Sequence, residues 1–150
     1  MNTVKVQSAK DMYDAVIERA DSMDIIVKAA AVADYRPKNV SSEKVKKQDG
    51  NMSIELERTD DILKTLGERK NGQFICGFSM ETENMLENSR KKLEKKNCDM
   101  IVANNLKQDG AGFGGNTNIV TLITKDDEVQ LEKMTKDEVA EKIFDFILSR

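Results

Sequence analysis

A strand-like run, DIIVK at residues 24–28, passes directly into Ala29-Ala30-Ala31-Val32-Ala33-Asp34-Tyr35-Arg36-Pro37, and Glu43-Lys44-Val45-Lys46-Lys47 follows within one loop. A buried strand end that delivers small side chains, one carboxylate and then lysines suits a flat polar base and the phosphates attached to it. Arg36, Lys38, Lys44, Lys46 and Lys47 stand against Glu43 alone; Arg90, Lys91, Lys92, Lys95 and Lys96 stand against Glu94 alone. Both patches are strongly basic in a chain of net charge −3. Brought together by the fold they form an anion-binding cleft, whereas held apart they are solvated faces. Lys92 and Lys96 are spaced i,i+4, so they share one helix face and can straddle a phosphate chain. The same spacing also suits lysines that simply favour a helix carboxyl end.

The chain has 150 residues, 39% hydrophobic content, one proline, no tryptophan and no histidine. One domain over 1–150 with a real core is the expectation. The absence of histidine excludes imidazole acid/base chemistry and imidazole zinc sites, and Cys76 and Cys98 are too few and too far apart for a thiolate-metal motif. They read as buried thiols, and no protein metal site is expected. The negative net charge argues against nucleic acid as a partner. No stretch reaches membrane-spanning length and no secretory start is visible, so no membrane partner is expected and the compartment expected is the cytoplasm.

Strands and helices alternate along the chain. Residues 4–7 read as extended, and Ser8 to Asp11 as a capping box for a helix with Met12, Ala15 and Val16 inside. Residues 25–27 read as a buried strand, and 52–57 alternate with period two as a half-exposed one. Thr59 or Asp60 suits the cap of a helix carrying Ile62, Leu63 and Leu66, which Asn71-Gly72 ends. Residues 74–78 form a second core strand, 83–96 a helix packed through Met85, Leu86, Ser89 and Leu93, and 99–103 a third core strand. Residues 104–117, with Gly110, Gly112, Gly114 and Gly115, lack phosphate-loop spacing and read as an ordered excursion joining the sheet to the final hairpin, with a lid or interface role as the alternative. A strand at 118–124, a turn at Asp126-Asp127 and a return at 129–131 make a hairpin. Thr135 to Glu138 is a capping box for a last helix with Val139, Ala140, Ile143, Phe144 and Ile147 toward the core.

This order predicts an α/β, Rossmann-like three-layer fold: a mostly parallel sheet with a carboxyl-terminal β-hairpin plus helix. Ligands of such sheets sit beyond the carboxyl ends of the strands, where residues 30–36, 78–82 and 104–105 fall. Neither GxGxxG nor GxxxxGK[ST] is present, so the ordinary dinucleotide and P-loop signals are absent. Taken one by one, Lys44 also reads as a solvated loop lysine, Asp34 as a turn cap and Phe78 as core. Asn104 either orients a ligand or satisfies loop backbone.

Seven segments then carry a resemblance: AAVADYRPK (30–38), EKVKK (43–47), TDDIL (59–63), GFSMET (77–82), the Lys92/Lys96 pair, DMIVANN (99–105) and FGGNTN (113–118). In this order they resemble the nucleotide-binding part of phosphopantothenate–cysteine ligase, a coenzyme A biosynthesis enzyme. Members of that family begin with a first strand, a glycine-rich turn and an Asn-containing Ser-Ser-Gly segment. The domain is therefore expected to be incomplete at its amino terminus, with that segment or a phosphopantothenoylcysteine decarboxylase domain as partner. Met80 stands where the family often has alanine.

The resemblance implies CTP-dependent ligation of 4′-phosphopantothenate to cysteine through an acyl-cytidylate, with Mg²⁺ accompanying the nucleotide and a homodimer completing each site. It implies that Asp34 and the Ala30 backbone recognise cytosine and that Phe78 packs on base or ribose. Lys92 and Lys96 would grip the triphosphate, and Lys44 would belong to a flap closing over the intermediate. The 150-residue chain alone is expected to bind nucleotide without ligating cysteine. A catalytically inactive nucleotide-binding or assembly domain and a ligand-free structural α/β domain are the alternatives.

Overall fold

The computed structural model describes residues 1–46, 50–81, 83–105 and 115–149. Lys47, Thr82 and most of the glycine-rich segment (106–114), on which parts of the sequence reading rest, lie outside them. In chain order the elements are α1 (Ala9–Ala20), β1 (Ile25–Lys28), β2 (Tyr35–Pro37), β3 (Leu56–Arg58), α2 (Ile62–Arg69), β4 (Phe74–Glu81), α3 (Met85–Lys95), β5 (Met100–Asn105), β6 (Thr117–Asn118), β7 (Val120–Thr124), β8 (Glu128–Gln130), β9 (Met134–Thr135) and α4 (Lys136–Leu148).

Local signals place the helix starts. Ser8 Oγ accepts from the Asp11 N–H while Asp11 accepts from the Ser8 N–H, and Thr135 with Glu138 repeats this capping box at α4. At α2 the cap is Asp61, which accepts from the Lys64 N–H at 2.9 Å, rather than Thr59 or Asp60. Thr59 is engaged elsewhere, its hydroxyl donating to the Ala33 carbonyl at 2.6 Å.

The central sheet has the order β1-β4-β5-β7-β8, with β1, β4 and β5 parallel and the β7–β8 hairpin antiparallel. Side chains alternate across it. Ile75, Ile101, Ala103 and Ile123 pack with Leu63 and Leu66 of α2, Leu93 of α3 and the inner face of α1. Cys76, Met100, Val102 and Leu122 pack with Val139, Ile143 and Ile147 of α4. Three layers result, as expected for this α/β class. Gly77 lets α2 approach the sheet, because a methyl there would lie 2.7 Å from Leu63 Cδ2. Gly67 lets α2 meet the end of α3, because a methyl there would lie 1.9 Å from the Lys96 carbonyl oxygen.

Several expectations need correction. Residues 4–7 belong to no strand. β1 is half-buried rather than buried, since it is the edge of the described sheet and Val27 is 37% exposed. Of residues 52–57, only Leu56 and Glu57 join a strand: β2 offers three residues for pairing, Tyr35 to Arg58, Arg36 to Glu57 and Pro37 to Leu56. Leu86, Ala140 and Phe144 are exposed, each lying one residue, about 100° of helix, beyond the i,i+4 stripe that packs. Phe146 packs instead of Phe144. Asn104 and Asn105 are strand residues, continuing β5 past the expected loop boundary.

Candidate functional site

The parallel strands end in a cleft of about 1010 Å³, large enough for a nucleotide-sized ligand. Lys28, Phe78 and Asn104 form its floor, the amino end of α2 and one face of α3 form one side, and the start of α4 contributes Lys136 and Val139. The loop after β1 brings Ala30 and Asp34 to the same space. That loop is pinned to the chain after β3, where the Thr59 N–H donates to the Asp34 carbonyl at 3.0 Å.

The cations are held in defined positions. Lys92 Nζ donates to the Phe78 carbonyl at 2.8 Å, and Lys28 Nζ donates to the Ala30 carbonyl at 3.0 Å. Lys96, the C-cap residue just past α3 and four positions after Lys92, pairs with Asp61 at the α2 cap. Burial lowers the Lys28 pKa and the Lys92 and Lys96 charges add to this, while Asp61 and Asp34 oppose it. For Asp61, burial pushes the carboxyl upward, but the Lys96 hydrogen bond, the Lys64 N–H and the Lys96 and Lys28 charges leave it below the usual range. The orientation of α3 is fixed at its other end. Glu81 accepts from Ser79 Oγ at 3.1 Å and from Asn88 Nδ2 at 3.3 Å, tying β4 to the first turn of the helix.

Asn104 is buried, and its Oδ1 has no hydrogen-bond partner among the described residues. A buried, unsatisfied acceptor in a cleft is suited to a donor on a ligand. Of the seven candidate residues, six line one space: Ala30, Asp34, Phe78, Lys92, Lys96 and Asn104. Lys44 does not; it is exposed on the segment after β2. No described residue of the first basic patch lines the cleft. Arg36 pairs with Glu57 at 2.8 Å and Lys38 with Glu55 at 2.7 Å on the β2–β3 hairpin, while Lys91, Lys92, Lys95 and Lys96 reach the cleft.

Lys28 and the Asp61 counter-charge are functional candidates that the sequence reading missed. A lysine ending an apolar strand was the available signal for the first, given where ligands bind in such sheets. Asp61 lay inside a quoted motif but was not separated from Thr59 and Asp60. Among the described residues there is no group of three or more acidic, cysteine or histidine side chains able to hold a metal, and no helix long and apolar enough to cross a membrane.

Fold and cleft define an α/β domain with a lysine-lined cleft at the ends of its parallel strands. The family model for the DNA/pantothenate metabolism flavoprotein C-terminal domain matches residues 1–150, and the chain belongs to that family. It is 55% identical over 123 residues to the coenzyme A biosynthesis bifunctional protein CoaBC of Bacillus subtilis (strain 168), covering 82% of this chain and 30% of that protein. It is 43% identical over 151 residues to a cysteine/cysteine sulfinic acid decarboxylase of an unknown prokaryotic organism, covering 99% of this chain and 42% of that protein. The crystal structure of the C-terminal domain of a CoaBC protein superposes with a TM-score of 0.79 at 46% identity, covering 97% of this chain and 64% of that one. The chain thus spans less than half the length of these two sequence relatives.

Proposed function

We propose that this chain is the nucleotide-binding part of a CTP-dependent phosphopantothenate–cysteine ligase acting in coenzyme A biosynthesis. The observation that carries the reading is the convergence of Lys92 and Lys96 with Asp34, Ala30 and Phe78 on one cleft, in a chain of this family. Asp34 and the Ala30 backbone present a fixed polar edge to cytosine, and Phe78 offers an apolar surface to base or ribose. The α3 lysines hold the triphosphate by charge-assisted hydrogen bonds.

In the reaction, a carboxylate oxygen of 4′-phosphopantothenate attacks the α-phosphorus of CTP, forming the acyl-cytidylate and expelling pyrophosphate. The cysteine amine then attacks the acyl carbon, and CMP leaves with the bonding pair. Fixed ammonium groups favour the first step because they stabilise charge gathering on the phosphates more than the resting carboxylate. Mg²⁺ would be carried by the triphosphate oxygens and water. Lys44 acts from a flap that engages after the nucleotide. A homodimer and a cytoplasmic location complete the proposal, with a phosphopantothenoylcysteine decarboxylase domain as a further partner.

Calorimetric titration with Mg–CTP and Mg–ATP tests the base recognition: tighter CTP binding is expected, and equal affinities would remove it. A product assay with 4′-phosphopantothenate, cysteine and CTP tests the ligase reading. Run on this chain supplemented with the remainder of a full-length family ligase, of which it spans less than half, it should yield product. Absence of product from the folded, supplemented form would favour a nucleotide-binding domain without turnover.

A further inference from the structure

Resting on the nucleotide-binding reading, we infer that Lys28 is a third phosphate-holding cation of the cleft. Lys28 is the last residue of β1, and strand alternation puts it on the same face as Ile26, which packs in the layer of α1, α2 and α3. Its neighbour across the parallel ladder is Gly77, which has no side chain to obstruct it. The lysine stem is half-buried, yet no carboxylate of the described residues lies within ion-pair distance of the ammonium.

An ammonium taken partly out of water needs compensation, and a neutral carbonyl supplies less of it than an anion. Ala30 is also a shared acceptor, since its carbonyl takes the Val32 N–H at 3.2 Å. The nearby charges sharpen the case. Lys92 on α3 and Lys96 at its carboxyl cap repel Lys28, while Asp61 at the α2 cap and Asp34 in the loop after β1 attract it, so four charges of one cleft act on Lys28. Of the three cations Lys28, Lys92 and Lys96, one sits on Asp61 and two on backbone carbonyls, and with Arg58, Lys91, Lys95 and Lys136 also on the lining the cations outnumber the carboxylates Asp34, Asp60 and Asp61, a surplus that a polyphosphate balances.

The test is calorimetric titration of the chain and its Lys28→Gln, Lys28→Met and Lys28→Arg variants with Mg–CTP, cytidine and inorganic tripolyphosphate. Thermal unfolding of each variant checks the fold, and Lys28→Met preserves the apolar stem should Lys28→Gln unfold. Loss of one charge-assisted hydrogen bond predicts affinity for Mg–CTP and tripolyphosphate about tenfold weaker in the Gln and Met variants, with cytidine unchanged and Arg restoring most of the loss. Equal weakening of cytidine and CTP would make Lys28 a support for the Ala30 loop and overturn the inference, as would no change at all. Failure of the unaltered chain to bind CTP would sink the nucleotide reading by itself. Tripolyphosphate would then still decide for Lys28: equal affinity in the chain and the Gln variant, or binding by neither, overturns it.

Discussion

Asp61 performs two separable tasks, and two substitutions divide them. Its Oδ1 caps α2 by accepting the Lys64 N–H, and its other oxygen pairs with Lys96. Asp61→Asn keeps an acceptor as good as Asp at the cap and removes only the charge; Asp61→Ala removes both. The cap contributes about 1 kcal/mol. The Asp61 side chain is 47% exposed, so solvent screening limits the ion pair to about 0.5–1 kcal/mol. Asp61→Asn should therefore cost up to about 1 kcal/mol and Asp61→Ala about 1.5–2 kcal/mol, at roughly 2–4 °C of melting temperature per kcal/mol for a chain of this size. The sign with pH follows from the depressed carboxyl. Its charge-dependent contribution is fully present above the ordinary aspartate pKa and is lost as pH falls through the lowered value. Urea unfolding at neutral pH and at steps into the acid range measures both effects. The gap between the unaltered chain and Asp61→Asn should close on acidification, while the gap between Asn and Ala remains. An Ala variant as stable as the Asn variant, or a gap indifferent to pH, would refute the division. On the proposed function, Asp61→Asn also frees Lys96 and removes a negative charge facing the phosphates, so Mg–CTP should bind about fivefold tighter.

Gly67→Ala places a methyl 1.9 Å from the Lys96 carbonyl, so overpacking should outweigh the helix propensity gained and destabilise the chain by about 1–3 kcal/mol in urea unfolding. A stabilised variant would contradict the close α2–α3 contact. Burial pushes the Cys76 and Cys98 thiols up to about 12 and about 11, so the folded chain at mildly alkaline pH should resist alkylation that the urea-unfolded chain undergoes; mass spectrometry reads the difference. Lys44→Gln should leave Mg–CTP affinity unchanged, since Lys44 does not line the cleft; in the supplemented ligase, rapid-quench measurement should find slower formation or conversion of the acyl-cytidylate.

Signals contained within four or five residues were legible in advance. The boxes at Ser8 and Thr135 announced α1 and α4, and the apolar runs at 74–78 and 99–103 announced β4 and β5. That six candidate residues share one cleft was also legible, because they lie in or just beyond the carboxyl-terminal halves of parallel strands or one helix turn apart. What depended on distant partners was not. The basic run from Arg36 gave no sign that Glu55 and Glu57 would neutralise part of it across a hairpin, since that requires knowing the β2–β3 register. The role of Asp61 was hidden for the same reason: its partner Lys96 sits at the carboxyl cap of another helix, brought close through Gly67. Lys28 looked like the polar end of a strand until α3 supplied two further cations around it.

The parallel ladder that sets Ile25 beside Phe74 and Cys76 beside Met100 makes the cleft a product of long-range closure. Its floor joins residues contributed by β1, β4 and β5, so no hairpin or helix pair possesses a binding site of its own. Pairing of this kind is slow to form because loop closure precedes its reward, and the cleft should appear only as the whole sheet consolidates. An occupant of the cleft consequently favours the complete fold over every partly opened form. It should slow amide hydrogen exchange deep in β4 and β5, by a factor that grows with ligand concentration, as well as at the residues it touches.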